Sequence, residues 1–211
     1  MAKIYLIRHA ESIANTQSIY QGQTYDTDLS ELGKKQVRVL TKHLQKLNVN
    51  KIFTSPLKRT FQTAEVLHKI LDKPLFTDRR IIETSHGQWE GKHRDIIKST
   101  WPAIYRKWLK FPSSVKFPDG EHFLETQKRV IAWWKSVADE KGEILAVTHD
   151  NIIRILIAKV LNMKLNHIWK FHLQPTSVTL IEVRENMPKL VYLNDHKHLG
   201  SLQANLAIHA L

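Results

Sequence analysis

Residues 3–12 read KIYLIRHAES, and the fold follows from this stretch. Positions 3–7 are a short run rich in β-formers, halted abruptly by Arg8 and His9, the pattern of a buried strand that delivers polar groups at its carboxyl end. A second strand is predicted over 51–54 and a third over 143–148, the latter followed at once by His149. Helical stretches lie between them. From Ser30 onward, Val37, Leu40, Leu44 and Leu47 recur at spacings of three and four. Ser55 and Pro56 read as an N-cap followed by Pro at the first helical position, with Leu57, Phe61, Ala64, Leu67 and Leu71 as the buried face. Strands alternating with helices at this interval predict an α/β sheet, at least partly parallel.

Outward from these elements the order continues. Between residues 90 and 123 the pattern loosens, with one helix around Trp101, Tyr105, Trp108 and Leu109 and a loop from 111 to 120; this reads as an insertion over the sheet. A helix over 124–138, a helix over 151–161 and strands over 177–184 and 189–193 complete the order. The tail from 196 has no clear period. The Trp-rich stretch (Trp101, Trp108, Trp133, Trp134) reads as core and insertion packing rather than a base-stacking surface. A length of 211 residues predicts a single domain, 1–211.

Composition narrows the function classes. Lys and Arg total 32 against 20 Asp and Glu, a net charge of +12, and the excess is spread over the chain: 11 basic and 5 acidic groups in 1–70, 13 and 10 in 71–140, 8 and 5 in 141–211. Charge this diffuse argues for a small anionic substrate or mere solubility and against nucleic acid, whose binders concentrate it in a stripe or arm. Cys is absent, which removes disulfides, thiolate zinc sites and Cys nucleophiles. Neither a signal peptide nor a membrane span is expected, and the protein is expected to be soluble and cytoplasmic. The close His pairs, His196 with His198 and His86 with His93, lack a fitting carboxylate pattern, so no metal site is expected.

His9 and His149 each come directly after a predicted strand, Arg8 adjoins His9, and Arg59 falls in the first turn of a helix after another strand. In an open α/β sheet, ligands bind beyond the carboxyl ends of the strands. Two imidazoles and two guanidiniums gathered there suit a dianionic phosphate: Arg grips its oxygens, and a neutral imidazole can attack phosphorus.

The stretch LIRHAES (6–12) resembles the R-H-G-E-S/T opening of the histidine phosphatase superfamily, in its phosphoglycerate mutase-like branch. Asn15, Gln21-Gly22 with DTDLS (26–30), SPLKRTFQTA (55–64), IETSHGQWEG (82–91), Gly120-Glu121 and VTH (147–149) resemble its later motifs in order. The resemblance implies a three-layer α/β/α sandwich with a mostly parallel central sheet, helices on both faces, and a helical insertion over the active site. It makes His9 the phosphoryl-accepting nucleophile and Glu83 the proton donor and later base, with His149 completing the catalytic set. Arg8, Arg59 and His149 would hold the phosphoryl oxygens, with Asn15 a further donor and Gln21 and Gly22 also on the substrate side. No cofactor and no metal are implied.

Two departures stand out. Ala10 replaces the usual Gly, and Asp150-Asn151 replace Gly-Gly after His149, which puts in doubt the backbone contact made there in the family and lets Asp150 repel phosphate unless it points away. A mutase-type E-R-H-Y-G segment is missing after the acid loop, which favours a phosphatase. The resemblance narrows to metal-independent phosphoserine phosphatases through the Ile81–Trp89 loop, Lys107-Trp108, the turn from Phe117 to Glu121 and the His198-Leu-Gly200 tail. His86 would bind the carboxylate of a small amino-acid phosphate, or else only brace its loop. Broad-specificity, sugar-phosphate and α-ribazole-phosphate phosphatases, a mutase, and a basic binding module without catalysis are the alternatives; a homodimer is compatible with the sequence.

Overall fold

The computed structural model describes residues 1–209. Six strands, β1 (Ala2–Arg8), β2 (Lys51–Thr54), β3 (Leu75–Thr77), β4 (Gly142–Thr148), β5 (Val178–Arg184) and β6 (Met187–Asp195), form one sheet in the order β3-β2-β4-β1-β5-β6. The β3-β2, β2-β4 and β4-β1 pairings are parallel; β1-β5 and β5-β6 are antiparallel. The expected mostly parallel α/β sheet is therefore found. β1 is bonded on both sides, to β4 from Ala2 to Arg8 and to β5 from Ala2 to Ile7.

Among the described residues, seven α-helices surround it: α1 (Ile13–Thr16), α2 (Glu31–Leu44), α3 (Lys58–Leu71), α4 (Arg94–Thr100), α5 (Pro102–Lys110), α6 (Phe123–Val137) and α7 (Asp150–Val160). The two-residue period of the strands separates two cores. Ile4, Leu6, Ile144 and Ala146 join Val130 and Trp133 of α6 and Ile153 and Ile157 of α7. Tyr5, Ile7, Leu145 and Val147 join Leu40 and Leu44 of α2 and Ala64 and Leu67 of α3. Helices thus cover both faces. Trp108 and Trp133 are fully buried and Trp134 is buried, as the packing reading expects.

The structure corrects two local expectations and adds one helix. Ser55 does not cap α3: Leu57 occupies the N-cap position and has no side-chain cap bond, while the Ser55 hydroxyl is turned to His149. Phe61 is 40% exposed. The buried face runs instead through Thr60 and Thr63, whose hydroxyls donate to the Leu57 and Arg59 carbonyls and so lose nothing on burial. The helix expected around 101–109 is α5, and a further helix, α4, precedes it; Trp101, just before Pro102, leaves the helical region (φ −126°, ψ 55°) and separates the two.

The amino end of α2 packs hard against the loop after β1. A Cβ on Gly33 would lie 2.0 Å from the Glu11 carbonyl oxygen. Ser30 Oγ accepts the Gly33 N–H at 2.9 Å and donates to Glu11 Oε1 at 2.7 Å. The tail is not shapeless: it turns through two 3₁₀ segments, Lys197–Leu202 and Leu206–Ile208, and returns to the carboxyl edge of the sheet.

Candidate active site

β2, β4 and β1 are neighbours, so the segments that leave their carboxyl ends meet above one edge of the sheet. Arg8 ends β1 and His9 is the next residue; His149 occupies the N-cap position of α7 directly after β4; Arg59 lies in the first turn of α3 after β2. Arg8, His9, Asn15, Gln21, Arg59, Glu83 and His86, all expected from the sequence, line one cavity. Ile19, Tyr20, Asp150 and His209 complete its wall.

His9 is 4% exposed and donates from Nδ1 to the Ala10 carbonyl at 2.7 Å, which leaves Nε2 bare. Burial, then the nearby Arg59 and Arg8 charges, hold its pKa well below the ordinary imidazole value, so the ring is neutral. His149 lies behind it, with ring centroids 5.3 Å apart. Its Nε2 meets Ser55 Oγ at 2.8 Å, and burial and the Arg59 charge keep it neutral too. Its Nδ1 is buried without a partner among the described residues.

Both guanidiniums are anchored from behind. Arg59 is 1% exposed; Nη1 donates to Asp26 Oδ1 at 2.9 Å and Nη2 to the Gly22 carbonyl at 3.1 Å. Arg8 donates from Nη1 to the Leu173 carbonyl at 2.5 Å. In each, Nε is buried without a partner among the described residues, a donor that an anion would satisfy.

Glu83 is 5% exposed and accepts the Thr84 N–H at 2.7 Å. Burial raises its pKa above the ordinary carboxyl value, against the pull of His86, the Thr84 amide and Arg59. Its loop is clamped by Arg129 of α6, which donates to the Arg80, Ile82 and Glu83 carbonyls and to both oxygens of Glu121. Glu121 in turn accepts the Ser85 N–H at 2.7 Å. The motif residue Glu121 thus braces the acid loop from outside the cavity.

Other expected residues divide their duties. Asn15 uses Oδ1 for the Ser12 N–H and hydroxyl, leaving its amide NH₂ for the cavity. Gln21 spends its NH₂ on Ser12 Oγ at 2.8 Å. Gly22 and His149 do not line the cavity; Gly22 serves through its carbonyl, and a Cβ there would strike Glu90. His86 donates from Nδ1 to the Gln21 carbonyl at 2.6 Å, packs edge-on against Phe117, and points Nε2 at the Asn151 amide nitrogen 3.4 Å away.

Sequence reasoning missed His209. It is 2% exposed, with Nδ1 3.4 Å from Arg8 Nη2 and Nε2 3.5 Å from Glu11 Oε2. Ser18 Oγ holds the Ile208 carbonyl, and Arg94 donates to the Ala207 and His209 carbonyls, both at 3.1 Å. No periodicity or motif in the tail signals this return. Among the described residues, no three or more His, Cys, Asp or Glu are grouped as a metal ion needs, and no helix is long and apolar enough to cross a membrane.

The histidine phosphatase superfamily (branch 1) profile matches residues 4–196. Phosphoserine phosphatase 1 of Hydrogenobacter thermophilus is 32% identical over 212 residues, covering 99% of this chain and 100% of that one. The solved structure of Bacillus stearothermophilus YhfR superposes with a TM-score of 0.90 at 31% identity, covering 94% of this chain and 100% of that one. A mutant phosphoserine phosphatase from Entamoeba histolytica, solved in complex with phosphoserine, superposes with a TM-score of 0.81 at 26% identity, covering 94% and 100%. With its profile, its sheet and its ordered motifs in agreement, the chain belongs to the histidine phosphatase superfamily, branch 1.

Proposed function

We propose that this protein hydrolyses small phosphate monoesters through a phosphohistidine intermediate, with phosphoserine as its substrate. One observation carries the reading: a buried, neutral His9 with bare Nε2 shares a cavity with two anchored guanidiniums and a buried carboxyl whose pKa is raised. Nε2 attacks phosphorus in line, the P–O ester bond breaks, and Glu83 gives its proton to the leaving alkoxide. Arg8, Arg59 and Asn15 stabilise the transferring phosphoryl oxygens, a task of positioning and charge neutralisation, while His149, outside the cavity lining with its ring edge-on to His9, holds that ring in place. A water then attacks phosphorus, Glu83 takes its proton, the N–P bond breaks, and phosphate leaves with His9 restored.

For the substrate, His86 lines the cavity three residues beyond the acid, and its imidazolium form carries an N–H at Nε2 for the carboxylate of an amino-acid phosphate. Similarity to two phosphoserine phosphatases supports the same choice. A small phosphorylated metabolite fits a cytoplasmic location. The test is inorganic phosphate release in EDTA from phosphoserine, phosphothreonine, 3-phosphoglycerate, α-ribazole phosphate, a hexose phosphate and p-nitrophenyl phosphate. Preference for phosphoserine, abolished by His9→Ala, is the expected result. Activity on the nitrophenyl ester alone would refute the substrate, and release unchanged in His9→Ala would refute the chemistry.

A further inference from the structure

An acid at the mouth of a phosphate site calls for a reason. Asp150, the first residue of α7, is 2% exposed and lines the cavity that Arg8 lines. Both of its oxygens are engaged away from an incoming anion. Oδ2 accepts Arg154 Nε at 2.5 Å, and Oδ1 lies 3.3 Å from Arg154 Nη2 and 3.7 Å from Arg8 Nη1. Arg154, one helical turn on, is itself fixed: Nη1 donates to the Ile168 and Phe171 carbonyls at 2.5 and 2.6 Å, and its guanidinium lies 5.0 Å from the Trp169 ring and 5.1 Å from that of Phe171. The chain of contacts runs from an aromatic corner through Arg154 and Asp150 to Arg8.

We propose that Asp150 is a positioning residue: clamped by Arg154, it sets the aim and charge of Arg8 toward the phosphate. Without a carboxylate there, two buried guanidiniums would face each other uncompensated, and Arg8 would retreat from Arg154. Burial and then the Arg154 charge both act to lower the Arg8 pKa, and Asp150 opposes them. A substrate ammonium is a poor competitor for this carboxylate, since two cations already hold it. The Asp in place of the family's Gly is then no obstacle to phosphate.

The proposal rests on Arg8 being a phosphate ligand, and one experiment separates the two. Inorganic phosphate binding is measured by titration calorimetry on the wild type, Asp150→Asn, Arg8→Ala and the double variant, with thermal unfolding of each. Asp150→Asn should weaken phosphate about tenfold when Arg8 is present and make no further difference in the Arg8→Ala background. Equal loss in both backgrounds overturns the proposal, since Asp150 would then act on the fold at large. Tighter phosphate binding by Asp150→Asn also overturns it, because the carboxylate would then be repelling the ligand. So does an Asp150→Asn variant whose KM for phosphoserine rises while its phosphate affinity is unchanged, which would make Asp150 a reader of the substrate amine. Wild-type phosphate binding by Arg8→Ala removes the premise, and the proposal with it. If Asp150→Asn does not fold, Asp150→Ser carries the same cycle.

Discussion

Replacing Glu83 with Gln keeps the shape of the side chain and an oxygen for the Thr84 N–H, which the carboxylate accepts at 2.7 Å. Only the proton chemistry is lost. A general acid is worth about 10²–10⁴ in rate, or about 3–5 kcal/mol of barrier, so phosphoserine turnover should fall by that factor. The nitrophenyl ester should respond differently, because nitrophenolate is a weak base that departs without a proton. Its release should begin with a rapid burst of one nitrophenolate per active site, then settle to slow turnover limited by the unassisted attack of water on phosphohistidine. Stopped-flow absorbance reads both phases. Folding supplies the control. Glu83 has a folded pKa raised above 4.5, so the stability it contributes is complete below that value and is lost as pH rises through the folded pKa. Gln has no such loss, and the variant should gain in Tm over the wild type as pH rises above 4.5. Wild-type turnover of phosphoserine, or equal losses on both esters with no burst, would refute Glu83 as the proton donor.

Acid should destabilise the protein early. His9 and His149 have folded pKa values held well below 6.5, so their stabilising neutrality is present above that value and is lost as pH falls below it, with a slope of about 1.4 kcal/mol per pH unit for each. Urea midpoints measured from neutral to mildly acid pH check this, and a flat profile would contradict the buried neutral rings. His209→Ala removes the group beside Arg8 and should raise KM for phosphate esters by about two- to tenfold, the worth of one hydrogen bond, with a smaller change in kcat on the nitrophenyl ester. Gly33→Ala forces a methyl to within 2.0 Å of the Glu11 carbonyl oxygen and should cost about 1–3 kcal/mol in denaturant unfolding.

Much of the fold was legible because β1, β4 and the apolar positions of α2 are governed by burial, which leaves a periodic trace. The site was legible for a related reason: Arg8-His9 and His149 stand where apolar strands stop, and the sheet order then brings those ends together. What escaped has a physical cause in each case. β3 is three residues at a sheet edge with Phe76 half exposed, too short to show alternation. The buried face of α3 is built partly of Thr, whose satisfied hydroxyls make it read as a polar face. α4 begins at a His93 cap, a residue type that carries little weight as a start signal. Asp150 reads as a repulsive charge because, although its i,i+4 spacing to Arg154 is visible in the sequence, the fixing of Arg154 by the Ile168 and Phe171 carbonyls, some 14 and 17 residues further along, is not. His209 depends on long-range packing alone.

The double-sided bonding of β1 has a consequence for motion. Its amides, shared between β4 and β5, can exchange with solvent deuterium only when the whole sheet comes apart, at the full free energy of unfolding. The segment ending in His209 is fastened by a few side-chain bonds to its carbonyls, and its amides should exchange through small openings that leave the rest of the molecule protected. His9 therefore follows a strand expected to exchange slowly and is faced by a segment expected to exchange faster, so the cavity should open and empty many times within a single lifetime of the sheet.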